Sequence, residues 1–474
     1  VAAVATGTAA AARAAADLVP EAEEWLARWI AIPSVSGSPQ HAAAVESAAR
    51  FVVARLRRFA AAVEVVPTSS GPIVLARVAG RDPSRPAVVG YGHLDVRPAG
   101  TGWHTPPFNP VRRGRLLFGR GASDDKGQLL AHLVAVEGWA AVGGPPTDVV
   151  LVIDGAEEIG SPGLAGALSR IRQPIGAVVL SDTRQARPRT PSLTVSQRGV
   201  ITLSVTVDTA GPAVHAGRFG GAVLDPSLLL AGALARAERV VARLPADPAY
   251  AAGQGAAIRR AASRAVREGD LDALTTTRAS LAVTTLRAGG APGAVPRAAT
   301  AVLDVRLPPS MRPETVLPAL VRALRAGVEP TARVSVSRGH LARGFVAQHG
   351  ARTLSAVHRA CLAGFGQPAI LVSSGGSIPA VGMLQQAFGH APVLLGLGPA
   401  DDRAHGPDEY LDLEDFVRSV RTAVSIYGNI ACAPGPHGSC ARGTGGTRHD
   451  ARHLLLGDAE RDRAYLRGLR NGHD

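Results

Sequence analysis

The sequence predicts an α/β protein, a mainly parallel sheet flanked by helices and interrupted by a smaller ferredoxin-like α+β insertion. Three observations carry this. Short continuous apolar runs alternate with helical segments up to about residue 198. Between about 199 and 340 the apolar pattern changes to period two. After 341 the first texture returns. Continuous apolar runs suit strands buried on both faces, and alternation suits a sheet with one face covered.

The chain has 474 residues, enough for two domains with a sizeable core. After a loose leader, segments 20–28 and 41–59 read as amphipathic helices. Segments 72–78, 87–92, 149–154 and 177–180 read as buried strands, and 128–141 as the helix between two of them. In the insertion, 200–209 (VITLSVTVDT), 279–286, 300–307 and 332–337 read as strands, and 227–244 and 313–326 as helices. That order is β-α-β-β-α-β, the ferredoxin-like pattern. Then follow a helix at 353–364, strands at 370–373 and 392–397, and a helix at 413–426. The organisation expected is therefore 18–198 and 341–431 as one domain in two pieces, 199–340 inserted into it, and 432–474 as a tail. Gly, Pro, Arg and His dominate that tail, which is expected to be disordered.

Hydrophobic residues make up 46% of the chain but form no run of the ~18 or more that a membrane span needs, so no membrane association is expected. The net charge is +13, from 51 basic and 38 acidic residues. The basic residues are nearly all Arg, scattered without blocks in an Ala-, Gly- and Pro-rich chain, so a compositional bias accounts for them and no nucleic acid is expected. Lys126 is the single lysine and lies inside GRGASDDKG, which points to a local constraint on its shape. Three cysteines, Cys361, Cys432 and Cys440, without tight spacing argue against a disulfide framework and a cysteine zinc site; the last two could pair in a secreted protein. The Ala-rich start lacks a basic segment before its apolar part, so a cytoplasmic location is expected.

Ligands of open α/β sheets collect at the carboxyl ends of the strands. His93 and Asp95 follow AVVGYG, Glu157 and Glu158 follow VVLVIDGA, and Asp182 follows AVVLS. His405 follows VLLGLGPADDRA, and Asp124 sits in a Gly-rich segment just before a helix. Each alone has an ordinary explanation as a loop residue, a helix cap or a turn. Together, two histidines and several carboxylates on one edge of a sheet suit zinc, and a shared carboxylate suits a metal pair.

The ordered series YGHLDVRPAG (91–100), GRGASDDKGQ (119–128), DGAEEIGSPG (154–163), LSDT (180–183), HAGRFGG (215–221), SSGGSIP (373–379) and AHGPDEY (404–410) resembles the co-catalytic di-zinc peptidases and amidohydrolases. These include carnosinases, aminoacylases, succinyl-diaminopimelate desuccinylases and glutamate carboxypeptidases, and the carnosinase-like dipeptidases are most similar. The resemblance implies a zinc-peptidase catalytic domain with an inserted lid and dimerisation domain, and a homodimer formed through that lid. It implies two zinc ions per subunit, with cobalt or manganese suited to the same ligands. His93, Asp124, Glu158, Asp182 and His405 would hold them, with Asp124 shared. Asp95 would orient the His93 imidazole and Glu157 would be the general base. His215 would reach the partner's site, Arg306 would grip a substrate carboxylate, and Gly375, Gly376 and Ser377 would supply donors.

Two positions depart from the pattern. Gly293 stands where Asn or Thr is usual, and Ala213 where Asp is frequent. Asp182, rather than Glu, favours the dipeptidases over the deacylases and carboxypeptidases. The expected reaction is hydrolysis of an amide or peptide bond in a small peptide. The alternative is an N-acyl amino-acid deacylase or a carboxypeptidase acting on a particular amide.

Overall fold

A computed structural model describes residues 2–247, 270–289 and 291–430. Cys432, Cys440 and the expected tail 432–474 lie outside the described residues.

The large sheet has nine strands. Its order is Ala62–Val66, Ile73–Val78, Val149–Asp154, Ala87–His93, Ile175–Arg184, Val393–Gly398, Ser192–Gln197 and Phe345–Val346, with Ile370–Ser374 also paired to Ser192–Gln197. The centre is parallel: Ala87–His93 pairs in parallel with Val149–Asp154 and with Ile175–Arg184, which pairs in parallel with Val393–Gly398. The flanks turn antiparallel at Ile73–Val78 on one side and Ser192–Gln197 on the other. Ala87–His93, Val149–Asp154 and Val393–Gly398 are buried throughout, as their unbroken apolar runs require.

Alternate residues of these strands feed two cores. Val88, Leu151 and Ile153 face the helices Ala42–Leu56, Lys126–Ala141, Ala351–Phe365 and Leu413–Ile430. Val89, Tyr91, Val150 and Val152 face Leu164–Leu168 and Pro379–Phe388. The supposed loose leader is instead part of one helix, Ala2–Ile30, that runs through Pro20. Ala11, Ala15, Val19, Ala22, Trp25, Leu26, Trp29 and Ile30 are buried on the first core. Small residues let two helices close up here: a Cβ at Gly138 would stand 2.7 Å from the Ala15 Cβ. A stripe of alanines has little hydrophobic contrast in sequence, and tertiary burial makes it a packed face.

The insertion has its own sheet, in the order Ser280–Ala288, Ala298–Leu307, Gly199–Asp208 and Arg333–Ala342, all antiparallel. In chain order this is 2-3-1-4, the ferredoxin-like arrangement. Ile201, Leu203, Val205, Ala301, Leu303 and Val305 bury one face against helices Pro226–Ala242 and Pro313–Arg325. The in-between residues, among them Thr202, Asp304 and Arg306, form a polar face turned toward the large sheet. Among the described residues no helix is long and apolar enough to cross a membrane.

Candidate metal centre

His93 ends the strand Ala87–His93 and is fully buried. Its Nδ1 lies 3.0 Å from the Asp95 carbonyl, which can only accept, so Nδ1 carries the proton. The other ring nitrogen, Nε2, faces Asp124 Oδ1 at 3.2 Å and Asp182 Oδ1 at 3.8 Å. On the other side, His405 Nε2 lies 3.1 Å from Asp124 Oδ2 and 3.2 Å from Glu158 Oε2. The five side chains thus form two clusters, His93–Asp124–Asp182 and Asp124–Glu158–His405, that share Asp124. In each, lone pairs of nitrogen and oxygen converge within 4.8 Å with a cation needed between them, so the donor set fits a divalent metal.

The charges agree. Burial alone would lower the His93 pKa, but Asp124, Asp182 and Asp95 outweigh it and hold it well above the ordinary value. Burial opposes a charged His405 too, yet Asp124 and Glu158 raise it to about 10. Asp182 is pushed up to about 7 by burial and by Asp124. Glu157 is held well above the carboxylate range, first by burial; His93 opposes this, and Asp182, Glu158 and Asp95 add to it. Without an ion, protons must neutralise a crowd of carboxylates.

Local hydrogen bonds fix the shell. The expected contact of Asp95 with His93 is made chiefly by its carbonyl, the nearer carboxylate oxygen standing 3.4 Å away. Its carboxylate instead accepts the backbone N–H of Glu157 and of Glu158, each at 3.1 Å. It thereby clamps the short turn Glu157–Ile159, which ends at Gly160 with φ +97°. Gln128 ties the strand end at Gly398 (2.9 Å) to the Ser123 carbonyl (3.2 Å).

Glu409 was not singled out in sequence, although it stands in AHGPDEY. It is fully buried and accepts from Ser123 N, Asp124 N and Gly121 N, each at 3.0 Å, and from Arg120 at 2.7 Å. One carboxylate therefore joins the backbone of the shared ligand to the loop that carries His405. Lys126 is also buried, but away from the cleft: Nζ donates to the Trp29 and Ile32 carbonyls, both at 2.9 Å. A compact ammonium fits between two carbonyls where a planar guanidinium would not. Burial lowers its pKa to about 7, with Glu409 and Asp95 opposing.

The clusters open into a cleft of about 600 Å³ between the large sheet and the polar face of the insertion. Arg306 lines it, but its guanidinium is held by both oxygens of Asp304 (2.6 and 2.9 Å) and reaches Ser377 Oγ at 3.2 Å. Ser377 also donates to the Arg198 carbonyl. Gly376 lines the cleft, but its N–H is taken by Ser374 Oγ at 3.1 Å. Gly375 stands behind the cleft: its carbonyl accepts from Arg198 at 3.1 Å, and a Cβ there would stand 2.4 Å from the Thr275 carbonyl. Gly375 is thus a close-packing position, because the chain passes directly against Thr275. Two cleft residues gave no sequence signal, His340 on an edge strand and Arg97, whose Nε lies 2.7 Å from Glu158 Oε2.

His215 is exposed and lies outside its own chain's cleft, on the short strand Val214–His215 paired with Ala294–Val295. Beside it, Gly293 has φ +76°, and its carbonyl accepts from Ala216 at 2.7 Å. That left-handed backbone favours glycine.

Comparison with known proteins bears on the same residues. The Cys-Gly metallodipeptidase dug1 of Schizosaccharomyces pombe is 27% identical over 447 residues, covering 84% of this chain and 92% of that protein. The Beta-Ala-His dipeptidase of Rattus norvegicus is 34% identical over 221 residues, which span 42% of this chain and 45% of that protein. The solved structure of the di-peptidase Dug1p from Saccharomyces cerevisiae superposes with a TM-score of 0.76 at 24% identity, covering 90% of this chain and 99% of that one. The model of peptidase family M20/M25/M40 matches residues 89–429, so both clusters and the cleft between them fall within the match, and the chain belongs to that family.

Proposed function

We propose that the protein is a zinc-dependent dipeptidase with two ions per subunit, working as a homodimer in the cytoplasm. The observation that carries this is the pair of clusters sharing Asp124, with Glu157 beside them in one cleft. Similarity to the Cys-Gly and Beta-Ala-His dipeptidases supports the substrate class.

His93, Asp124 and Asp182 would hold one ion, and Asp124, Glu158 and His405 the other. The ions, when bound, supply Lewis-acid polarisation of the scissile carbonyl and a lowered pKa for water. The residues do the rest. Glu157, beside both clusters in the cleft, would take the proton of the attacking water and pass it to the leaving amine nitrogen. Asp95 holds the turn that aims Glu157 at the cleft and Glu158 at the cluster. Arg306, steadied by Asp304 and Ser377, would receive a substrate carboxylate.

A lid role for the insertion is supported by its polar sheet face on the cleft. The dimer is supported by its outer strand Ser280–Ala288, an unpaired edge with Val283 42% and Leu286 63% exposed. His215, exposed and off its own cleft, is then free to reach the partner. Buried Cys361, which is unpaired, suits a reducing compartment.

Glu157→Gln tests the reading. Turnover of dipeptides should collapse while zinc stays near two per chain. Full activity in that variant overturns the general base. A panel of dipeptides set against N-acyl amino acids separates a dipeptidase from a deacylase or carboxypeptidase.

A further inference from the structure

Three arginines line the cleft: Arg97, Arg184 and Arg306. Two are bound to carboxylates outside the clusters. Arg306 is gripped by both oxygens of Asp304, and Arg184 Nε lies 2.8 Å from Asp402, a buried residue that also accepts from Ser123. Arg97 differs. Its Nε lies 2.7 Å from Glu158 Oε2, the same oxygen that faces His405 Nε2 at 3.2 Å. A cation held by the Asp124–Glu158–His405 cluster would compete with Arg97 for that carboxylate and repel the guanidinium. Arg97 is 46% exposed and follows Asp95 by two residues, so its side chain can turn into the cleft without moving the buried shell. Both Arg97 and Arg306 help to depress the pKa of His340, which is lowered chiefly by burial, so the two arginines flank one stretch of the cleft wall.

We propose that Arg97 changes partner on metal loading. Paired with Glu158 here, it would release that carboxylate to a cation and receive an anionic side chain of the substrate. The cleft would then favour dipeptides that carry an aspartyl or glutamyl side chain in addition to the terminal carboxylate. This rests on the dipeptidase reading. A second consequence concerns the metal. Arg97 contests one cluster and not the other, so the two ions bind unequally, the one at Glu158 more weakly.

Two measurements test this. Zinc is titrated into metal-free wild type and Arg97→Gln by calorimetry. The weaker site should tighten severalfold in the variant while the tighter one holds; two unchanged affinities overturn the counter-ion role. Zinc-loaded wild type is then assayed on the pairs Ala-Glu against Ala-Gln and Glu-Ala against Gln-Ala. At least one acidic member should be favoured about tenfold in kcat/KM, as a charge-assisted hydrogen bond implies. The ratio should fall toward one in Arg97→Gln and recover in part in Arg97→Lys. Equal rates in wild type, or a preference that survives Arg97→Gln, overturn the substrate role while leaving the dipeptidase reading intact. If no dipeptide is hydrolysed, that reading fails. Calorimetric binding of the same pairs to the zinc-loaded protein then decides the arginine's part by itself, equal affinities overturning it.

Discussion

The two clusters that share Asp124 are built differently. His93 and Asp182 sit on neighbouring regions of the sheet centre, with the His93 side chain 1% exposed and Asp182 10%. His405 is 51% exposed and stands on a loop, with its own φ at +63° and those of Arg403 and Asp408 also positive. The first cluster is a product of the fold. The second is held in place by side chains that organise a loop: Asp402 on Ala404 N at 3.0 Å, Asp408 on His104 at 2.6 Å, and Glu409 beneath. One half is therefore anchored on the sheet and the other suspended on a loop, so the first is the more rigid.

The largest effect tests what the halves share. Glu157→Gln should lower kcat by about 10²–10⁴-fold with little change in either zinc affinity, because the proposed base would serve both clusters and ligate neither. A large loss of zinc would show that Glu157 belongs to one half.

Glu409→Ala comes next, because it leaves Arg120 buried without its partner. Stability should fall by about 3–5 kcal/mol in denaturant unfolding, and zinc should be lost first from the His405 cluster. Equal loss from both clusters would erase the distinction between them.

Acid should strike the rigid half. His132 is buried between Tyr427 (3.0 Å) and Ser181 (2.8 Å), the residue before Asp182, and burial lowers its pKa to about 4. A depressed histidine favours the neutral form in the folded state. Its contribution is therefore complete above about pH 6.5 and is lost as pH falls toward 4, to the extent of about 3 kcal/mol. The unfolding midpoint of His132→Gln should drop less steeply than wild type across that window.

The smallest effect is His104→Ala, which removes an exposed partner of Asp408. Zinc affinity of the loop cluster should weaken about two- to fivefold, with the buried cluster unchanged.

The same contrast explains what could be read from the sequence. His93, Glu158, Asp182 and His405 stood out because strand ends announce themselves as apolar runs stopped by polar residues, while Asp124, in a Gly-rich segment before a helix, stood out through the ordered series of motifs. The insertion was legible because alternation such as that of Ala298–Leu307 is visible in the letters. The strand Ser192–Gln197 was not, since SLTVSQ is polar yet buried at the seam between the two parts of the molecule. Nor were the bonds of Glu409 or the partner of Arg97. Such contacts join residues 61 to 289 positions apart, and a lone charge in a loop looks the same whether it is solvated or buried. The roles of Gly375 and Gly376 were too general, because a Gly-rich loop also serves close packing.

The buried Lys126 has a practical consequence. It is the single lysine, with no exposed surface, and both of its recorded acceptors are backbone carbonyls. An acylating reagent aimed at lysine side chains therefore finds nothing to label until the segment between Trp29 and the Asp124 loop parts. The extent of that single modification over time is a chemical clock for the opening of the metal centre's foundation, read in one peptide by mass spectrometry and needing no engineered probe.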